Sequence, residues 1–371
     1  MAVIPSTHGR AVGMRDIYRM IPELTANRSR AAYCTVVDTV GSTPQKEGAK
    51  LLILPTMASV GTLGGGCVEA EARKQAARLM QTNSRKLLDF KLDSDYGWDD
   101  GLICGGSMRI FVDLMDRPDD GHLFVEMERL LAEDTPVAFG TVVEAPDSGL
   151  LGAKRLIATD GTRLGTLGSE AMDELFTGHA IAALEKNDAR LWTEAESGIT
   201  VFVEAMLPQI RLVVCGAGHV GAALTHFAAM CDFHVTVIDD RPEFANAENL
   251  PDAHEIIVGD LPTATASAAV GPLTYFVIVT RGHNHDESCL RAVVETDAGY
   301  IGMIGSRRKI KLIYDDLKEL GIAESLFDRV QAPIGIDIAS NTVPEIAVSI
   351  VAQLIQARNT QKVGQYTAAL A

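Results

Sequence analysis

The chain has 371 residues, 47% of them hydrophobic, and a formal net charge of −16. That length suits roughly two or three domains with ordinary buried cores. So acidic a chain lacks the Lys and Arg that broad nucleic-acid binding needs, and it offers no polybasic patch to an anionic membrane.

At the N-terminus Arg10 and Arg15 interrupt any apolar signal-peptide core. The longest tempting uncharged run, 261–280, holds Pro262, Gly271 and Pro272, and reads as loop, helix and strand rather than a membrane span. A cytoplasmic location is expected. The six cysteines, Cys34, Cys67, Cys104, Cys215, Cys231 and Cys289, form no CxxC pair and are expected to be reduced.

Residues up to 207 contain an internal duplication. Thr35-Val36-Val37-Asp38 recurs as Thr141-Val142-Val143-Glu144, and Gly48-Ala49-Lys50 as Gly152-Ala153-Lys154. Gly61-Thr62-Leu63-Gly64 recurs as Gly165-Thr166-Leu167-Gly168, and Ile110-Phe111-Val112-Asp113 as Val201-Phe202-Val203-Glu204. Lead-in helices match around residues 17–24 and 124–131. Each copy reads as helix, strand, loop, strand, Gly-turn, helix, strand. Two related α/β lobes are therefore expected, at 1–118 and 119–207, before a third domain at 208–371.

The copies differ where chemistry is expected. Gly64-Gly65-Gly66-Cys67-Val68-Glu69 opens the helix of the first, where the second has Gly168-Ser169-Glu170-Ala171-Met172-Asp173. Only the first carries Gly101-Leu102-Ile103-Cys104-Gly105-Gly106. A thiol at a helix N-terminus is favoured as thiolate, so Cys67 is a functional candidate, as is Cys104 beside Gly105 and Gly106. Each could equally be a small buried residue. Glu69 is either a general base or a favourable charge in the first helical turn. The loop with Asp95, Trp98, Asp99 and Asp100 is placed to cover that site. The other four cysteines read as structural.

From Pro208 the pattern changes. Strand 211–215 enters Gly216-Ala217-Gly218-His219-Val220-Gly221, which opens helix 219–230. Strands follow at 235–238, 256–258, 275–280 and 300–304, and a capping box at Thr342–Glu345 begins a last helix, 344–358. This alternation predicts a Rossmann-type, doubly wound parallel sheet. Asp239 lies eighteen residues beyond Gly221 at the end of the next strand. That context points to a phosphate- or ribose-bearing ligand, with a purely structural turn as the alternative. His219 either touches the ligand or starts the helix at the surface. Arg281, His283, His285 and Asp286 fall at the carboxyl edge of the sheet, to bind ligand, orient a loop or hold a metal. No third His motif completes a metal set, so none is assigned. Ser306-Arg307-Arg308-Lys309 is a second anion site or a solvated cluster.

Taken together, these strings resemble the XdhC/CoxI family. The resemblance rests on Gly41-Ser42-Thr43-Pro44, Gly48-Ala49-Lys50, Gly61 to Glu69 and Cys104-Gly105-Gly106 near the N-terminus. In the Rossmann part it rests on Cys215 to Val220, Asp239-Asp240-Arg241, Thr280 to His283, Tyr300 to Lys309 and Ala332-Pro333-Ile334-Gly335. The resemblance implies an accessory protein rather than a turnover enzyme. Such a protein would bind the molybdenum cofactor transiently, as molybdopterin or its dinucleotide form, and protect it. It would present the cofactor to a cysteine desulfurase for sulfuration and pass it to an apo molybdenum hydroxylase of the xanthine dehydrogenase type. The Gly turn with Asp239 leaves an NAD(P)-dependent oxidoreductase as the alternative, and His283, His285 and Asp286 a metal-dependent hydrolase. A homodimer is the default expectation for a soluble oligomer.

Overall fold

A computed structural model describes residues 14–92, 105–268 and 270–360. They fall into two compact units that meet in the chain between Pro208 and Gln209.

In the first unit one lobe runs α1 (Met14–Ala26), β1 (Ala32–Val40), β2 (Lys50–Ile53), β3 (Ser59–Gly61), α2 (Gly66–Thr82), β4 (Lys86–Lys91) and β5 (Ser107–Leu114). The other repeats this order: α3 (Pro118–Ala132), β6 (Val137–Glu144), β7 (Lys154–Ala158), β8 (Arg163–Gly165), α4 (Glu170–Lys186), β9 (Ala189–Thr193) and β10 (Thr200–Met206). The two antiparallel sheets have matching orders, β3-β2-β1-β5-β4 and β8-β7-β6-β10-β9. Each lobe thus has more strands than its sequence pattern predicts. The strands not anticipated, β3, β4, β8 and β9, are short or lie at sheet edges. In β9 nearly every residue is half-buried, which erases the two-residue period that reveals a strand.

Each sheet buries one face under its own helix. Val68, Ala72, Ala76 and Met80 recur at four-residue spacing on α2, a single apolar stripe. Both α2 and α4 stop at an Asn in the left-handed conformation, Asn83 and Asn187, with φ of 51° and 50°. Other apolar groups of both lobes share one core with α1 and α3 that includes Phe124, whose ring lies 5.8 Å from Tyr18 and 5.4 Å from Phe139. Val37 and Phe111 pack with their sequence equivalents Val143 and Phe202 in a further cluster. Neither lobe could leave the other without exposing these surfaces.

The second unit contains β11 (Arg211–Cys215), α5 (His219–Met230), β12 (His234–Asp239), β13 (Glu255–Val258), α6 (Leu261–Ser267), β14 (Thr274–Ile278), α7 (His283–Val293), β15 (Tyr300–Met303), α8 (Arg307–Glu319), β16 (Val330–Gln331) and α9 (Val343–Thr360). Its parallel sheet has the order β13-β12-β11-β14-β15-β16. The order reverses between β11 and β14, so the ligand crevice of such a sheet lies beyond their carboxyl ends. The Glu345 carboxylate accepts the Thr342 N–H at 3.0 Å, closing the predicted capping box of α9. Among the described residues no helix is long and apolar enough to cross a membrane.

Candidate functional site

Three glycine segments converge in the first lobe. A Cβ on Gly64 would lie 2.5 Å from Pro44, and one on Gly106 would lie 2.4 Å from the Ser42 carbonyl oxygen. The 41–44 loop therefore packs against both the entry to α2 and the start of β5, at a distance only glycine permits. Gly65, Gly66 and Gly105 have φ of +74°, +59° and +65°, and among the described residues nothing lies within 4 Å of where their Cβ atoms would be. Cys67 sits half-buried in the first turn of α2, a free thiol. Among the described residues no side chain caps this helix at Gly65. Cys104 and the loop with Asp95, Trp98, Asp99 and Asp100 lie outside the described residues.

The second lobe closes the same place. Ser169 stands where the first lobe has Gly65, and its hydroxyl accepts the Met172 N–H at 3.3 Å. Ala171 replaces Cys67. The comparison also shows what Glu69 does. One of its oxygens accepts from Leu63 N–H, Gly65 N–H and the Thr62 hydroxyl, and the other from Arg73 at 2.6 Å. Burial pushes the Glu69 carboxyl up, but Arg73, Leu63 and Thr62 together outweigh it and hold it below the usual range. Asp173 repeats the clamp, accepting from Leu167 N–H at 2.7 Å and pairing with Arg155 at 3.1 Å. A residue doing the same work in the lobe without thiols is a loop clamp, so the geometry does not give Glu69 the spare lone pairs of a general base.

In the Rossmann crevice, a Cβ on Gly216 would meet the Val279 carbonyl at 2.6 Å, and one on Gly221 the Gly216 carbonyl at 1.9 Å. Those two glycines serve the turn itself. Among the described residues nothing lies within 4 Å of a Cβ on Gly218 at the start of α5 and no side chain caps that helix, and His219 beside it is exposed. This opening fits a phosphate. Asp239 differs from its sequence reading. Its carboxylate is almost fully buried and accepts from Ala217 N–H at 2.7 Å and from Arg241 at both oxygens. Burial raises this carboxyl, but Arg241 and the two backbone N–H groups bring it down to about 2. Arg281, exposed at the rim, pairs with Asp240 at 2.8 Å.

Asp286 is likewise committed. Buried at the start of α7, it accepts from Thr280 and forms an ion pair with Lys309, tying α7 to α8. It therefore does not join His283 and His285 around a metal. The ligand atoms that do gather, within 4.8 Å of one another, belong to His283, Glu287 and Asp316. Two of those three side chains are exposed, an arrangement common without any ion. Ser306 caps α8 by accepting Lys309 N–H at 3.3 Å, leaving Arg307 and Arg308 exposed beside it.

Sequence reasoning missed a pair of buried ion pairs joining the lobes. Lys50 Nζ donates to Glu204 Oε2 at 2.6 Å, and Lys154 Nζ to Asp113 Oδ2 at 2.6 Å. The Lys154 side is filled: that ammonium also donates to Asp120 and to the Gly152 carbonyl, while Arg85 donates to Asp113 at 2.6 Å and to Asp116. The Lys50 side borders a cavity of about 460 Å³, lined by residues that include Gln45, Lys50, Thr62, Asp188, Ala189 and Glu204. Burial pushes the Lys50 ammonium down against the pull of Glu204. The sequence signal was the repeated Gly-Ala-Lys and the acid closing each final strand. Thr62 belongs both to this cavity and to the Glu69 clamp, so the cavity adjoins the loop leading to Cys67.

The XdhC and CoxI family model matches residues 24–91 and 130–193, one stretch in each lobe, and the XdhC Rossmann domain model matches residues 212–354. The chain belongs to the XdhC/CoxI family. Among relatives, a Bacillus subtilis protein named as a probable subunit of xanthine dehydrogenase is 23% identical across 93% of this chain and 98% of its own. The molybdenum cofactor insertion chaperone PaoD of Escherichia coli is 22% identical across 94% of this chain and 90% of its own. YqeB of Escherichia coli, an uncharacterized protein, is 28% identical over 64% of this chain, a match spanning only 46% of that protein's length. A crystal structure from Bacillus halodurans, described as a xanthine dehydrogenase, superposes with a TM-score of 0.75 at 25% identity, covering 95% of this chain and 99% of that one.

Proposed function

We propose that this member of the XdhC/CoxI family is an accessory protein that binds the molybdenum cofactor transiently and inserts it into an apo hydroxylase of the xanthine dehydrogenase type. The observation that carries the reading is the open glycine entry to α2, with Cys67 in its first turn, set against a second lobe where Ser169 and Ala171 close the same place. The names of two relatives, one a cofactor insertion chaperone and the other a probable xanthine dehydrogenase component, support the client class.

The residues present fit the group. Gly65, Gly66 and Gly105 leave room for a ligand to meet backbone, and a thiol is a soft donor suited to molybdenum or sulfur. When bound, the cofactor would supply a molybdenum centre able to take up sulfur. Cys67, with Cys104 next to Gly105 in the chain, would supply the thiols that hold and shield that group while it is presented to a cysteine desulfurase. The second unit, taken by itself, offers donors for a phosphate-bearing ligand from Gly218, His219 and Arg281, together with Ser306, Arg307 and Arg308. The commitment of Asp239 to Ala217 and Arg241 weighs against NAD(P), whose ribose that position would otherwise read. The protein acts in the cytoplasm, as a homodimer.

The test is transfer. Protein incubated with cofactor released from a donor enzyme is desalted, assayed for bound molybdenum and pterin, then mixed with an apo hydroxylase. Retention of cofactor and recovery of hydroxylase activity are expected. Cys67→Ser and Cys104→Ser should lower transfer by at least the ~10–100-fold that even outer-shell losses cost a metal site. A protein that retains no cofactor overturns the proposal.

A further inference from the structure

The two buried ion pairs are equivalent by duplication, yet only one is fully satisfied. Strand register explains the difference. In the first lobe Lys86 pairs with Val112, which sets Arg85 beside Asp113, and the guanidinium donates to that carboxylate. In the second lobe Glu204 pairs with Ala189. A methyl group thus stands where the first lobe has a guanidinium, and the cavity of about 460 Å³ occupies the space, within the range of small-ligand sites. The Lys50 side chain is fully buried, yet among the described residues its ammonium makes one hydrogen bond where Lys154 makes three. The ammonium is sealed from the cavity, whereas the Glu204 side chain is 8% exposed and, without a guanidinium, keeps acceptor capacity that a ligand can use.

A planar ligand that carried adjacent N–H donors, as a guanidinium does, would meet that carboxylate in the same way. The aminopyrimidinone edge of a pterin has that pair: an amino group beside a ring N–H. Guanine shares it. We infer that the interlobe cavity binds the aminopyrimidinone edge of a pterin, with Glu204 accepting from the amino group and ring N–H while Lys50, sealed behind the carboxylate, fixes its charge and position. The choice of pterin over guanine rests on the molybdenum-cofactor reading. Thr62, shared between this cavity and the clamp below Cys67, gives the ring a place adjoining the thiol loop. The Tyr33 and Phe202 rings, 5.8 and 5.4 Å from Lys50 Nζ, help hold the ammonium in position.

The experiment titrates the intact protein with neopterin, followed by pterin fluorescence. Parallel titrations use guanosine and lumazine, which has oxygen in place of the amino group. Neopterin should bind, and lumazine should bind roughly tenfold or more weakly for want of one charge-assisted hydrogen bond. Glu204→Gln should weaken neopterin by a similar factor. Because that variant strands Lys50, the decisive one is Ala189→Arg, which supplies Glu204 with the guanidinium the first lobe already has. It should melt no lower than the parent protein and lose neopterin binding. Neopterin bound equally by Ala189→Arg and the parent would overturn the inference, as would lumazine matching neopterin or guanosine outcompeting it. If neopterin fails to bind while cofactor transfer succeeds, this site falls and the chaperone function stands. If neopterin binds but no cofactor is transferred, the chaperone reading fails instead.

Discussion

Lys50 Nζ and Glu204 Oε2 lie 2.6 Å apart, and Lys154 Nζ and Asp113 Oδ2 repeat that distance with the lobes exchanged. In each case a lysine after Gly-Ala reaches the acid on the other lobe's last full strand. The contacts differ in what surrounds them, and that difference sets the first prediction. Removing one member of a buried pair leaves a charge uncompensated, at about 3–5 kcal/mol, whereas replacing both by apolar groups of similar size costs far less. Glu204→Gln should therefore destabilise more than Lys50→Met combined with Glu204→Leu. Asp113→Asn should be worse than Glu204→Gln, since Asp113 also serves Arg85 and the Leu114 N–H. Urea denaturation of the purified variants measures all of these.

Cys67 and its duplicate position separate function from stability. Cys67→Ser should leave the melting temperature within about a degree or two, because the residue is half-buried and the swap is small. Cofactor transfer should nevertheless fall sharply. Ala171→Ser at the equivalent place in the second lobe should change neither. A Cys67→Ser protein with undiminished transfer would remove the thiol from the site.

The glycines of the Rossmann turn should divide by what lies beyond their missing side chains. Gly221→Ala forces a methyl group 1.9 Å from the Gly216 carbonyl oxygen, and a loss of about 1–3 kcal/mol or more is expected from overpacking. Gly218→Ala meets nothing within 4 Å and should melt as the parent does. If the opening takes a phosphate, calorimetric titration of Gly218→Ala with phosphate-bearing ligand should show weakened binding at unchanged stability.

Asp239 supplies a pH signature. Its carboxyl is depressed from an ordinary 3.8 to about 2 in the fold. The unfolded chain therefore binds more protons than the native one between those values, and stability falls as the pH is lowered across that window. The contribution of Asp239 is complete above about pH 4 and lost as pH drops through about 2. The stability gap between the parent and Asp239→Asn, measured by denaturation at a series of pH values, should be widest near neutrality and narrow on acidification. A gap that is constant with pH would mean the clamp does not favour the ionised form.

Much of this molecule could be read before its coordinates. Strand 211–215, Gly216–Gly221 and helix 219–230 announce a Rossmann turn because local sequence dictates each piece, and the duplicated strings mark two lobes of one architecture. What escaped reading is tertiary. Gly48-Ala49-Lys50 was visible as a repeat, but nothing nearby shows that its lysine meets an acid 154 positions away. Glu69 occupies the first helical turn whether it is a base or a clamp, and only the count of donors around its oxygens separates the two. Asp239 stands where a ribose-reading acid stands, while Arg241, two residues on, takes both its oxygens. Spacing finds the positions where chemistry is performed, and hydrogen bonds decide whether a side chain there is free to perform it.

The matched ion pairs have a further meaning. Two copies of a single lobe, meeting as separate chains across a twofold axis, would carry the same residue at both symmetry-related places. Any change that opened a ligand site on one side would open it on the other and weaken the shared boundary twice. Within one continuous polypeptide that constraint lapses. Position 85 keeps its arginine while position 189 is an alanine, and a sealed helix start at Ser169 coexists with an open one at Gly65. Covalent fusion thus permits a division of labour: one half braces the pseudo-symmetric body, and the other is released to specialise.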